Sequence, residues 1–383
     1  MGETSKSRVA LVRCESYDLD LVRAGVRRGL ELLGGAARFA RAGEKIVLKP
    51  NLLVGRSPSR AVNTHPAVFQ AVAEAFAETG AGLSFGDSPG FGPLGSAARR
   101  AGLADVADAL GIPNADFSHG RHVGFPEGRL IKQFTIANGA HDADGLISLP
   151  KLKTHGLTRI TGAIKNQFGC VPGVLKPEFH ARLSNADVFS QMLVDLNRLL
   201  RSRLFVMDGI VAMEGNGPQG GSPRPMNVLL LSEDPVALDT VVCRLVDLDP
   251  SLVLPIRYGV EFGLGISTGI EILGDPIESS VVRDFDVNRS PRSTTSGPGR
   301  PSRIARRLMV PKPVIDVARC TRCGTCVSVC PVDPKAVAFP GEDRSKTPVH
   351  SYDRCVRCYC CQELCPENAI DIRTPLLGRL IRR

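Results

Sequence analysis

The chain has 383 residues, 43% of them hydrophobic, too long for one small core and suited to two or three domains. Aromatic residues make up only 5% and Trp is absent, which excludes platforms that stack aromatic rings on bases or sugars. The formal charge is +9 at pH 7, but seven Arg or Lys and no acid lie between Arg289 and Lys312, so a solvated linker is the expected source of the excess and no nucleic acid partner is expected.

The start, MGETSKSRVALVRCESYD, has no apolar signal region, and no stretch approaches a transmembrane span. A cytoplasmic protein with reduced thiols is the expectation. Strand-like runs at 9–14, 45–49, 82–86, 145–149, 204–207 and 228–231 alternate with helical signals. Helices are predicted over 21–33 with Asp20 as cap, over 66–78 with Thr64 as cap, and over 235–246 with Asp234 as cap. The alternation predicts an α/β domain over 1–285, a mostly parallel sheet with helices on both faces. Residues 286–313 read as a basic linker rich in Pro, Gly and Ser. Residues 314–383 read as a small α+β ferredoxin-like iron–sulfur domain ending in the basic tail LLGRLIRR.

Eight of the 12 cysteines carry that last reading. Cys320-x2-Cys323-x2-Cys326-x3-Cys330-Pro331 recurs as Cys355-x2-Cys358-x2-Cys361-x3-Cys365-Pro366. This is the spacing that binds cubanes in bacterial ferredoxins, where the fourth cysteine of each run ligates the other cluster. By that crossing, Cys320, Cys323, Cys326 and Cys365 would hold one [4Fe–4S] cluster, and Cys355, Cys358, Cys361 and Cys330 the second. Four cysteines also bind zinc, but zinc ribbons use two separated C-x2-C pairs, whereas each run here holds four. Two oxidised cubanes would lower the net charge to about +5. Cys360, out of phase in the second run, is expected to be a packed neighbour. Cys14, Cys170 and Cys243 are expected in the core, with a redox thiol at Cys170 left open. Over roughly 314–372 the layout resembles the two-cluster bacterial-type ferredoxin domain, which implies low-potential, one-electron transfer.

The larger domain carries KPNL (49–52), GDSPG (86–90), LPKLKTH (149–155) with TGAIKNQFG (161–169), and DGIVAMEGNGP (208–218) followed by SEDPVALD (232–239). On these motifs most of 8–250 resembles the domain of unknown function 362 family, whose members often carry a C-terminal ferredoxin module. The resemblance implies no activity. The residues themselves imply more, because ligands of parallel α/β sheets sit beyond the carboxyl ends of the strands. Lys49, Asn51, Lys151, Lys153, Thr154, Lys165 and Asn166 are the expected anion-binding set, and His155, Asp87, Asp208 and Glu214 the acid–base set. Thr158, Thr161 and Lys165 would share one helical face. The plainer alternatives are that Asp87 makes only an Asx turn and that loop lysines are solvated. Gly90-x-Gly92-x-x-Gly95 stands too far past its strand for a dinucleotide fingerprint, so neither NAD nor FAD is expected.

The expected function is an iron–sulfur oxidoreductase. It would take electrons from a redox partner protein and pass them through two [4Fe–4S] clusters to a small anionic substrate or cofactor in the α/β domain. The alternative is a non-catalytic electron-carrier or adaptor subunit of a larger redox enzyme. A cluster-sensing regulator that binds nucleic acid is the weakest of the three, because no base-reading array is visible.

Overall fold

The computed structural model describes residues 6–183, 185–290, 310–341 and 344–375, so the middle of the basic linker and the terminal tail lie outside the described residues. In chain order the α/β part runs β1 (Arg8–Arg13), α1 (Leu19–Leu32), β2 (Lys45–Pro50), α2 (Pro66–Ala77), β3 (Gly82–Phe85), α3 (Leu94–Arg100) and α4 (Leu103–Ala109). A hairpin of β4 (Gly120–Gly124) and β5 (Gln133–Ala137) follows, then the single turn α5 (Asn138–His141). Next come β6 (Gly145–Leu149), β7 (Lys151–His155), β8 (Arg159–Ile160), α6 (Ala163–Asn166), α7 (Lys176–Arg182) and α8 (Ala186–Leu200). The part ends with β9 (Leu204–Glu214), β10 (Ser222–Ser232), α9 (Pro235–Leu245), α10 (Leu254–Glu261) and β11 (Glu271–Gly274). The small domain holds β12 (Lys312–Ile315), α11 (Thr325–Ser328), β13 (Val337–Ala338), β14 (Val349–His350), α12 (Cys360–Glu363) and β15 (Ile370–Arg373).

The main sheet has the order β11-β1-β10-β9-β6-β2-β3, with β7 added beside β9 and β8 antiparallel to β7. It is mostly parallel, and β10 runs antiparallel to both β1 and β9. Both faces are covered, which is why its strands read as near-continuous apolar runs. In β1, Val9 and Leu11 join the apolar cluster on one face, with α8, α9 and α10, while Ala10 joins the other, with α1, α2 and α4.

Two helix caps differ from expectation. Asp18, not Asp20, caps α1 by accepting from the backbone N–H groups of Asp20 and Leu21. The Nδ1 atom of His65, not Thr64, caps α2. Thr64 is committed elsewhere: its hydroxyl donates to Leu149 O at 2.6 Å and accepts from Asn51 N at 2.8 Å, stitching the ends of β2 and β6. Asp234 caps α9 as expected.

The segment after Pro150 departs further. Lys151, Lys153 and His155 are not on a loop but in β7, which pairs with the outer half of β9. Their i, i+2, i+4 spacing puts all three on one side of the strand. The shared helical face of Thr158, Thr161 and Lys165 does not form. Thr158 precedes β8, Gly162 adopts φ 34°, and only Ala163–Asn166 is helical. The Asp239 carboxylate accepts from Ala163 N at 2.6 Å and Ile164 N at 3.1 Å to start that turn. A Cβ at Gly162 would overlap this carboxylate.

Both described ends of the expected linker are held in place. Phe285 and Val287 are buried, and the Arg159 guanidinium donates to Asn288 O at 2.5 Å and Ser290 O at 2.7 Å. At the other end β12 already pairs with β15 from Lys312. Among the described residues no helix is long and apolar enough to cross a membrane.

Burial pushes the Asp239 carboxyl up from 3.8 to about 7. Asp239→Ala leaves two buried N–H groups unmet and should cost about 2 kcal/mol. Because the folded value is the higher one, the contribution of Asp239 is full below pH 4 and is lost as the pH rises through about 7. Urea midpoints of wild type and Asp239→Ala should therefore differ most at low pH. A gap that widens with pH would contradict this.

Candidate functional site

The two cysteine runs share one backbone course. Arg322 and Gly324 adopt φ of 61° and 81°, and at the matching places Arg357 and Tyr359 adopt 63° and 62°. One helical turn follows each, α11 and α12. Glycine takes this conformation freely, whereas a tyrosine pays about 1 kcal/mol. Tyr359 is held there by burial and by its hydroxyl, which donates to Pro311 O at 2.9 Å.

The runs also cross. Cys365 lines one cavity with Cys320, Cys323 and Cys326. Cys361 has Cys355, Cys358 and Cys330 among its close electrostatic neighbours. Backbone N–H groups point at the fourth sulfur of each run, from Ala336 to Cys330 Sγ at 3.4 Å and from Ala369 to Cys365 Sγ at 3.3 Å. Arg357 is only 2% exposed and stacks 4.9 Å from the Tyr352 ring, with Nε and Nη1 lacking a hydrogen-bond partner among the described residues. A buried guanidinium in that state calls for a nearby anion. The donor set, the N–H···S bonds and this unmet cation fit anionic iron–sulfur clusters.

The small domain sits on the carboxyl edge of the main sheet through specific polar contacts. Gln219 Nε2 donates to Cys365 O at 2.6 Å, Gln362 Nε2 to Asn216 Oδ1 at 2.7 Å, and Arg56 Nη2 to Pro366 O at 2.6 Å. Asn216 Nδ2 donates to Asn368 Oδ1 at 2.7 Å. Leu53 and Val54 pack against Val329, Cys358, Cys360 and Leu364.

Beside these contacts the two domains line a cavity of about 80 Å³, room for a few waters or a small ligand. The α/β wall includes Asp87, Ser88, Lys165, Phe168 and Lys176, and the opposite wall includes Val329, Cys360, Glu363 and Leu364. Behind it, Lys49 Nζ and Asp87 Oδ1 form a buried pair at 3.0 Å. Asp87 is pinned further by Leu52 N at 2.7 Å and Ser88 N at 2.8 Å. Asn166 Oδ1 accepts from Lys49 Nζ at 3.3 Å and from Asn51 Nδ2 at 3.1 Å. Gly169 leaves space for the pair, since a Cβ there would overlap Asp87 Oδ1 and crowd Lys49 Nζ.

The cations facing the cavity are less tied. Lys165 Nζ and Lys176 Nζ lie 6.0 and 5.8 Å from the centroid of the same ring, Phe168. Lys176 donates to Ser88 O. No hydrogen bond or ion pair to a described residue fixes the Lys165 ammonium. Burial lowers both, Lys176 from 10.5 to about 8 and Lys165 in the same direction. His155 bridges the domains, with Nε2 2.9 Å from Glu363 Oε1. Its Nδ1 accepts from Leu157 N and Thr158 N at 3.0 and 3.2 Å, which puts the proton on Nε2. Burial first, then Lys165, holds His155 down at about 4, so at neutral pH it is uncharged and its 2.9 Å approach to Glu363 is not an ion pair.

The expected site residues therefore divide. Asp87 and Lys165 line the cavity, with Lys49, Asn51 and Asn166 behind Asp87. Lys151 and Asp208 form a separate buried pair at 2.7 Å, shared with the Tyr17 hydroxyl, which donates to Asp208 Oδ1 at 2.8 Å. Lys153 donates to Val62 O at 2.5 Å. Thr154 ties β7 to the 215–217 turn by donating to Gly215 O at 3.0 Å. Glu214 faces Arg224 at 3.7 Å and accepts from Asp286 N at 3.0 Å. Cys170 is buried, its thiol pushed up to about 12 by burial, and it does not line the cavity. Sequence reasoning missed Ser88, Lys176, Cys360 and Glu363 as lining groups. The phase shift of Cys360 was a visible signal; Lys176 and Glu363 belong to no pattern.

Comparison with known proteins matches these parts. A family described as a domain of unknown function (DUF362) matches residues 46–244, and a 4Fe-4S dicluster domain matches 312–366. A thylakoid-associated protein of Synechocystis sp. is 39% identical over 257 residues, 67% of this chain and 79% of that protein. The lactate racemase apoprotein of Thermoanaerobacterium thermosaccharolyticum aligns at a TM-score of 0.41 and 13% identity, over 63% of this chain and 57% of the racemase. The chain thus spans little more than half the length of that structure.

Asp87→Ala strands a buried ammonium at Lys49 and should destabilise the protein by about 3–5 kcal/mol. Gly169→Ala, which leaves both charged residues in the chain, should weaken the same pair by displacing it. Denaturant midpoints check both, and a loss below about 1 kcal/mol in each would show that the pair does not hold this edge together.

Proposed function

The chain belongs to the domain of unknown function 362 family and is an iron–sulfur protein, and from that footing we propose that it is an oxidoreductase passing low-potential electrons from two [4Fe–4S] clusters to a small anionic substrate in the interdomain cavity. Cys320, Cys323, Cys326 and Cys365 would hold one cluster, and Cys330, Cys355, Cys358 and Cys361 the other. When bound, such clusters supply one-electron exchange at low potential.

One observation carries the reading. The cavity has cationic side chains on one wall, and its other wall is α12, which begins within the second cysteine run. A ligand there would touch Lys165 and Lys176 while lying next to residues that flank Cys358 and Cys361.

The chain's own residues define what such a site can do. The Lys165 and Lys176 ammonium groups attract a carboxylate or phosphate, and Phe168 and Leu364 exclude water, which strengthens that attraction. The Lys49–Asp87 pair and the 2.9 Å His155–Glu363 contact hold the two cavity carboxylates in place; both act on Lys165 and Asp87 acts on Lys176, so an anionic ligand competes with them for the lysines. Lys176, at about 8, can also return a proton to a reduced product near neutral pH. Cluster assembly requires reduced thiols, which fits action in the cytoplasm.

The test is acetate binding to anaerobically purified protein, followed by its effect on the cluster EPR signal. Lys165→Met and Lys176→Met should each raise the Kd about tenfold or more, with iron and sulfide steady at about eight each. Affinity should fall as the pH rises through about 8, because Lys176 loses its proton there and not at 10.5. Unchanged affinity in both variants, or zinc in place of iron, would overturn the reading.

A further inference from the structure

The relay has one covered end and one open end. Cys355, Cys358, Cys361 and Cys330 are each 8% exposed or less, and all four residues of α12 are buried. In the first run Cys323 is exposed and Cys320 half-buried, and Thr321 and Arg322 between them are exposed as well. Electron transfer weakens steeply with distance, so a protein carrier that cannot enter the interior has to approach the Cys323 side.

That side carries three exposed cations, Arg322, Arg344 and Lys346, with Glu367 the described carboxylate on the same cavity. Arg322 donates to Ser345 O at 2.7 Å, which draws the 344–346 stretch alongside the loop. A Cβ on Gly324, next to Cys323, would lie 3.9 Å from Arg344 Nη1, and the Arg344 guanidinium sits 5.4 Å from the Phe339 ring. Lys346 is exposed beside them. No carboxylate among the described residues pairs with Arg322, Arg344 or Lys346, whereas Arg319 nearby is spent on Asp316 and Asp371 at 2.8 Å each. Glu342 and Asp343 lie outside the described residues.

We propose that the face around Cys323 is the electron entry port and that its partner is a small one-electron carrier protein with an acidic surface. The proposal rests on the two-cluster relay above and adds its direction, from the exposed run at Cys320–Cys326 to the covered run at Cys355–Cys361 and so to the cavity. Each encounter moves one electron and no atom: the carrier is oxidised by one electron and the exposed centre is reduced by one.

A small acidic [2Fe–2S] ferredoxin serves as the probe. Its binding to the anaerobic protein is measured by calorimetry, and its reduction of the protein by stopped flow, between low and high salt. Lys346→Glu and Arg322→Glu should each weaken binding and slow reduction about tenfold at low salt and flatten the salt dependence. Arg27→Glu on α1 should change neither. Photoreduced deazaflavin, which needs no docking surface, should reduce all variants alike, showing that the clusters are intact. If both charge reversals bind and accept electrons as wild type does while deazaflavin still reduces them, the port lies elsewhere and the relay stands. If no reductant reduces the wild-type protein, the relay fails and the port with it.

Discussion

A lysine ammonium taken out of water must find an anion, find a carbonyl, or give up its proton. At the carboxyl edge of this sheet three lysines are buried outright, and each has an answer: Asp87 for Lys49, Asp208 for Lys151, the Val62 carbonyl for Lys153. Lys165 and Lys176 are different. They stand over one phenylalanine ring at the wall of a small cavity; among the described residues one holds only a backbone carbonyl and the other no fixed partner. The first three lysines are held by the fold, and the last two face the cavity.

The same edge is the seat of the cysteine-rich domain, and this explains why the motifs of the larger domain lie where they do. The turn at 215–217 presents Asn216 and the Gly217 carbonyl to Gln362, and Gln219 holds the backbone of Cys365 itself. A Cβ at Gly90 would press on Leu364, so the GDSPG stretch ends in a glycine where the second domain approaches. His155 reaches across to Glu363 from the last residue of β7. Motifs that look like isolated polar stretches in sequence are parts of one interface, and the cavity is the space that interface leaves open.

Much of this was legible beforehand. The alternation of short apolar runs with capped helices fixed the class of the sheet, because burial on both faces leaves no other pattern. The duplicated cysteine spacing identified the iron–sulfur domain, and the backbone repeats it down to the left-handed residues at matched positions. Other features were hidden because they depend on contacts distant in sequence. Lys-x-Lys-x-His looked like a loop after a strand, yet its period of two belongs to a second strand that Pro150 sets off from the first. Lys151 and Asp208 looked like site residues, and only the fold shows that they neutralise each other. Nothing in the surroundings of Lys176 or Glu363 marks them, because each acquires its setting from the other domain or from a ring eight residues away.

A ligand in the cavity would lie next to the second cysteine run across the interface. The direct measurement is electron–nuclear double resonance on the reduced protein with bound 13C-carboxylate-labelled acetate. A resolved 13C coupling to a reduced [4Fe–4S] signal is the expected result. Acetate bound at saturation with no 13C coupling to either centre would contradict it.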